Sequence, residues 1–133
     1  VLQIQTQQGK VLRTGKSEET AESAWVNRYG EWLKTDVLIA PHHGSQTSSS
    51  SPFLKAVRPN VILIPAGYRN PFGHPHEQVL QRYRRLHIDW LNSTNEGALQ
   101  VTFDNQLSIQ SWRAKEGRYW NYVVARQKIQ GEK

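Results

Sequence analysis

Asp36-Val37-Leu38-Ile39-Ala40-Pro41-His42-His43-Gly44-Ser45 is the stretch whose reading decides the fold. Its first half is a short unbroken apolar run, the pattern of a strand buried on both faces, and Pro41 ends it abruptly. From there to Ser51 the chain is two His, Gly and a Ser/Thr-rich run, a composition that reads as loop. The same succession recurs downstream. Val61-Ile62-Leu63-Ile64 is a second buried strand, and Ala66 to Pro75 is a second loop, holding Gly67, Pro71, Gly73 and His74. Each loop runs into a helix. Ser51-Pro52 reads as the N-cap and first residue of a short helix through Phe53, Leu54 and Val57, ended at Arg58-Pro59. Pro75 opens a longer one whose apolar face is Val79, Leu80, Tyr83 and Leu86, with Arg82, Arg84 and Arg85 on the other face.

Working outward, Val1 to Thr6 and Val11 to Thr14 flank the turn Gln7-Gln8-Gly9-Lys10 and predict a hairpin. Ser17 reads as an N-cap before Glu18 and Glu19, and helical spacing from Ala21 to Trp32 predicts a helix from about Ser17 to Leu33. Trp25, Trp32 and Trp90 fall on apolar faces and are expected in the core. Ile88 to Leu91 is a further strand, 92–97 a turn, and Ala98 to Phe103 with Leu107 to Trp112 a second hairpin. After Trp112 the pattern decays. The order of elements predicts the α/β class, one mixed sheet with helices on it, over 1–112, followed by a basic aromatic tail over 113–133.

The 133 residues, with 17 Lys and Arg against 11 Asp and Glu, make one small domain of formal charge +6. There is no Met even at position 1, which reads as a piece of a longer protein. With 37% hydrophobic residues the chain is lean, yet at this length it can bury roughly two-thirds of its unfolded surface. The lack of Cys excludes disulfides and thiolate metal sites, so any metal chemistry falls to His and carboxylates. No apolar run approaches the roughly 18 residues of a membrane span. A pI near 9.8 favours polyanionic partners, nucleic acid or an anionic membrane surface.

Both histidine-bearing loops start where a buried strand ends. Ligands of α/β sheets bind in the crevice outside strand C-termini, and four of the five histidines are expected at one such rim. Neutral imidazole suits Zn or Mn, and Ser45, Thr47 and the serines to Ser51 precede a helix N-terminus able to hold phosphate. The alternative is that His42 and His43 cap a strand and the hydroxyl residues fill a loop. His87, at a helix-to-strand junction, reads as structural. From Trp112 to Lys133 six basic residues stand against two acidic ones, interleaved with Tyr119, Trp120 and Tyr122. These aromatics could stack on single-stranded bases or cover apolar surface.

The motif Pro41-His42-His43-Gly44-Ser45, then Thr47-Ser48-Ser49-Ser50, Gly67-Tyr68-Arg69-Asn70 and Phe72-Gly73-His74-Pro75-His76, closely resembles the metallo-β-lactamase-like C-terminal domain of the ComEC family, the inner-membrane channels that import transforming DNA. The resemblance runs from about Val11 to Trp112. It implies that 1–112 is the C-terminal half of an αββα sandwich. It implies hydrolysis of a DNA phosphodiester by divalent metal, on the strand that is not imported, with the soluble domain on the extracytoplasmic side of a bacterial inner membrane. His43 or His42 is then the metal ligand; with His43 as ligand, His42 joins His74 as the catalytic pair, His74 contacting phosphate. Ser45, Thr47, Ser48, His76 and Arg69 would bind substrate. Arg82, Arg84, Arg85, Arg118, Tyr119 and Trp120 would bind DNA, expected to be single-stranded.

Two departures bear on activity. The first half of the sandwich, with the family's main metal motif, is absent, and Thr14-Gly15 is followed by Lys16 where the family has an Asp bridging two metals. An ammonium only donates hydrogen bonds and cannot bridge cations. This segment is therefore expected to be inactive alone and to bind Zn or Mn weakly or not at all. Two other functions fit the same residues: a non-catalytic single-stranded DNA-binding module, and a small-molecule phosphodiesterase. Three helices suffice to cover one sheet face, so self-association through the other is also expected.

Overall fold

The structure, a computed structural model, describes residues 1–67, 73–113 and 118–123. Strands β1 (Leu2–Gln5), β2 (Lys10–Arg13), β3 (Val37–Ile39), β4 (Val61–Ile64) and β5 (Asp89–Asn92) form one sheet in that order. β1 and β2 are an antiparallel hairpin, and the remaining pairs are parallel. Helices α1 (Glu19–Tyr29), α2 (Ser51–Val57) and α3 (Glu77–Arg85) are the three crossovers. Because successive strands step in one direction, right-handed crossovers put all three on the same face.

Registration decides which residues meet which layer. Leu12, Leu38 and Ile62 lie side by side across β2, β3 and β4. They point to the helices and form one core with Phe53, Leu54, Val57, Val79 and Tyr83. One residue earlier, Val11, Val37 and Val61 are also in register and point the other way. There they meet Leu107 and Ile109. These belong to a second, antiparallel sheet of β6 (Leu99–Phe103), β7 (Leu107–Arg113) and β8 (Arg118–Val123). A one-turn helix, α4 (Ser93–Glu96), joins the two sheets in sequence.

The mixed α/β sheet with its helices is as the sequence predicts, but the C-terminal hairpin does not join it. The hairpin stacks across it, with Leu99, Val101 and Phe103 also against the shared core. The premise for self-association falls with that packing: both faces of β4 are covered within the chain, and all its residues are buried. Residues Arg118–Val123, read as tail, pair with β7 as a strand.

Four local readings shift. Ser17 does not cap α1; Glu18 stands at the N-cap with no side-chain cap bond, and Ser17 is buried with an unpartnered hydroxyl. Ser50, not Ser51, caps α2 by accepting from Phe53 N–H, and α3 begins at Glu77 with His76 as its N-cap, so Pro75 lies outside it. Trp32 is 73% exposed instead of in the core. The cause is Gly30, whose φ of +49° ends α1 and starts a 3-10 turn over Gly30–Leu33. Changing from 3.6 to 3 residues per turn rotates the face, so Leu33 turns inward and Trp32 outward. Trp25 and Trp90 pack against the helix-side core as expected.

Candidate functional site

The sheet's C-terminal edge carries both histidine loops. After β3, Pro41–Gly44 forms a tight turn in which His42 (φ 45°, ψ 42°) and His43 (φ 56°, ψ 23°) are both left-handed. That conformation costs a residue with a Cβ about 1–2 kcal/mol. Two in succession persist only where other contacts over-determine them. Those contacts are present. His42 N–H donates to Gly15 O at 2.8 Å and Ser45 N–H to His42 O at 3.0 Å. His43 Nδ1 lies 2.7 Å from Pro65 O. A carbonyl only accepts, so Nδ1 carries the proton and the Nε2 lone pair is left open.

Gly44 then brings the second loop in. At φ +82° a Cβ there would sit 2.8 Å from Pro75 Cβ and 3.0 Å from Pro75 Cα, so only glycine permits the approach. His76 N–H donates to Gly44 O at 2.9 Å, locking the loops together. As a result the His42 ring lies 5.7 Å from that of His74 and 6.4 Å from that of His43, centroid to centroid. Burial, with added repulsion from His42, His43 and His76, lowers the His74 pKa below the usual histidine value and favours its neutral form.

The other expected residues divide. Ser45 and Thr47 share a hydroxyl contact of 3.2 Å. Thr47 and Arg82 line a cleft of about 250 Å³ with Gln46 and Ser51. Ser48 is buried, its hydroxyl beside Pro41 O (2.9 Å) and Ser45 O (2.8 Å), and so braces the turn from inside. His76 Nδ1 accepts from Gln78 N–H as the cap of α3. Arg84 pairs with Glu77 at 2.8 Å and lies over the Trp90 ring at 5.3 Å. Arg85 is exposed. Arg69 lies outside the described residues, and for Arg118, Tyr119 and Trp120 only their place on β8 is described.

Sequence reasoning missed Glu22. It is fully buried on α1, its carboxylate accepting from Ser49 N–H (2.7 Å) and Ser50 N–H (2.8 Å). Burial raises its pKa above the ordinary 4.5, against the lowering effect of those two bonds. Its signal was available: Glu22 stands three and four residues before Trp25 and Val26, on their face of the helix. Tyr83, read as core, also reaches this loop, its hydroxyl 3.0 Å from Ser49 Oγ, and burial pushes its phenol pKa up.

His43 has the disposition of a metal ligand, one ring nitrogen oriented by a carbonyl and the other open. Among the described residues no group of three or more His, Asp or Glu is arranged to hold a metal ion. Lys16 stands exposed on the adjoining loop, two residues from Thr14, whose buried hydroxyl is unpartnered. This donor set does not by itself make a metal centre.

A mixed α/β sheet whose C-terminal edge presents two interlocked histidine loops defines the class. No protein-family model matches the chain. It is 40% identical over 100 residues to "Competence protein ComA" of Neisseria gonorrhoeae, covering 75% of this chain and 14% of that protein. It is 34% identical over 125 residues to "Recombination protein 2" of Haemophilus influenzae, covering 93% of this chain and 16% of that protein. To "ComE operon protein 3" of Bacillus subtilis it is 33% identical over 107 residues, 80% of this chain and 14% of that protein. The chain spans about a seventh of the length of these relatives, and it belongs to the ComEC-like family of competence proteins. No helix among the described residues is long and apolar enough to cross a membrane.

Proposed function

We propose that the chain is the C-terminal part of the metallo-β-lactamase-like domain of a competence protein, serving DNA uptake, and that its histidine rim holds a DNA phosphodiester. The observation that carries this reading is the interlock at Gly44, which brings His42, His43 and His74 of this chain to one strand-end rim, and it is supported by similarity to proteins named for competence and recombination. A rim carrying the Ser45 and Thr47 hydroxyls beside these rings suits a phosphate flanked by sugars. For the complete protein the reading extends to metal-dependent hydrolysis of the non-imported strand, with Zn or Mn supplying a Lewis acid and His43 as one ligand. The protein around it is membrane-embedded, with this part on the extracytoplasmic side.

A second reading, a single-stranded DNA-binding module without catalysis, is favoured by Lys16 at the position where the family has its bridging Asp. The third, a small-molecule phosphodiesterase, has no specific observation behind it. Titration of a labelled single-stranded oligonucleotide at several salt concentrations, with plasmid nicking assayed in Mn²⁺ and Zn²⁺, tests the proposal. The chain alone is expected to bind with an affinity that falls steeply with salt, and not to nick. Absence of binding at low salt overturns both DNA readings. Nicking that His43→Ala abolishes overturns the assignment of an incomplete centre.

A further inference from the structure

Arg82 and Glu22 grip the same two peptide groups from opposite sides. The Ser48 carbonyl accepts from Arg82 Nη1 at 2.8 Å, and the N–H of that same peptide unit, at Ser49, donates to Glu22 Oε1 at 2.7 Å. The next unit repeats the pattern: Ser49 O faces Arg82 Nη1 at 3.3 Å, and Ser50 N–H donates to Glu22 Oε2 at 2.8 Å. A positive charge at the carbonyl end and a negative charge at the amide end align with both peptide dipoles. Chains of hydrogen bonds polarise one another in this way. Between the two units sits Ser49, fully buried and left-handed at φ 57°. Its conformation turns both N–H groups toward one carboxylate.

We propose that Glu22 and Arg82 form an ion pair relayed through the Ser48–Ser49 and Ser49–Ser50 peptides, and that this pair is the positioning device of the histidine turn. The mechanical link is short. Ser48, inside the clamped segment, braces Pro41 O and Ser45 O through its hydroxyl, and those carbonyls flank His42 and His43. Arg82 is thereby an internal tie instead of a phosphate contact. The proposal holds whatever ligand the rim takes.

The test uses the whole chain with isotope-labelled histidine. In the wild type His43 should give the signature of one tautomer, the proton on Nδ1. Arg82→Met should mix the tautomers of His43 and move the His42 signals, with Arg82→Lys restoring them in part. Glu22→Gln should do the same, because its amide N–H₂ opposes a peptide N–H donor, and the double variant should be no worse than either single one. Ile109→Val, on the far face of the sheet, controls for simple loss of stability and should leave the signals in place. If Glu22→Gln does not fold, Arg82→Met and Arg82→Lys decide alone. Histidine signals in Arg82→Met that match wild type overturn the proposal. So does an equal change in Ile109→Val, or loss of oligonucleotide binding in Arg82→Met with unmoved histidines.

Discussion

The histidine turn and the β1 corner stand at opposite extremes of the same sheet. At the turn, two adjacent histidines hold left-handed backbone while Glu22, Ser48 and Ser49 are buried and hydrogen-bonded around them. At the corner, Leu2, Ile4, Tyr29 and Trp32 are exposed, and the Gln3 amide on Trp32 O is a tie between them. Polar burial and strain are concentrated where the rim is, and apolar exposure where the sheet ends. Buried polar networks are costly unless satisfied, so their placement marks where one geometry is being enforced.

The largest effect should come from breaking the interlock. Gly44→Ala adds a Cβ at 2.8 Å from Pro75 and at φ +82°, and should destabilise by about 2–4 kcal/mol in denaturant titrations. It should also separate the His42 and His74 resonances from their wild-type environment.

Next comes Glu22. Its carboxyl is raised above 4.5 by burial, so between that value and the folded one the native chain holds a proton that the unfolded chain has released. The stability this group contributes is present below 4.5 and is lost as pH rises through the folded value. Measured against Glu22→Gln, which cannot titrate, wild-type stability should therefore decline as pH rises from the acid side toward neutrality. A flat difference would mean that the carboxylate is as well solvated as in the unfolded chain.

His42→Gly should stabilise the fold by roughly 0.5 kcal/mol. The relief of left-handed strain exceeds the added chain entropy, and His42 Nδ1 loses only a 3.5 Å approach to the exposed Glu18 carboxylate, a contact of little worth at the surface. The same variant should weaken oligonucleotide binding, a trade of function for stability. At the other extreme, Trp32→Ala should change stability by less than about 0.5 kcal/mol, since the ring is mostly in solvent. A larger loss would mean that the corner is not the loose region described above.

Much of the architecture was legible because apolar runs such as Val37–Ile39 and Val61–Ile64 leave one place for a parallel strand, and Pro41 and Arg58-Pro59 mark where elements stop. The interlayer role of β6 and β7 was not legible: alternation locates a hairpin but does not say which sheet it joins. Trp32 was misplaced because helical spacing was carried past Gly30, where the turn tightens. At the site, composition identified His42, His43 and His74, but left-handed histidines have no sequence signature beyond a neighbouring glycine. Glu22 was read past among the acids that open α1, although its face is that of Trp25.

The most direct test of the functional account is to follow the imidazole signals of His42, His43 and His74 while a short single-stranded oligonucleotide is added at low salt. The account predicts that all three shift together and saturate, and that added salt reverses the shift as counterions return to the phosphates. Saturable binding that leaves these three signals unmoved would contradict it, because the DNA would then be held elsewhere on the chain.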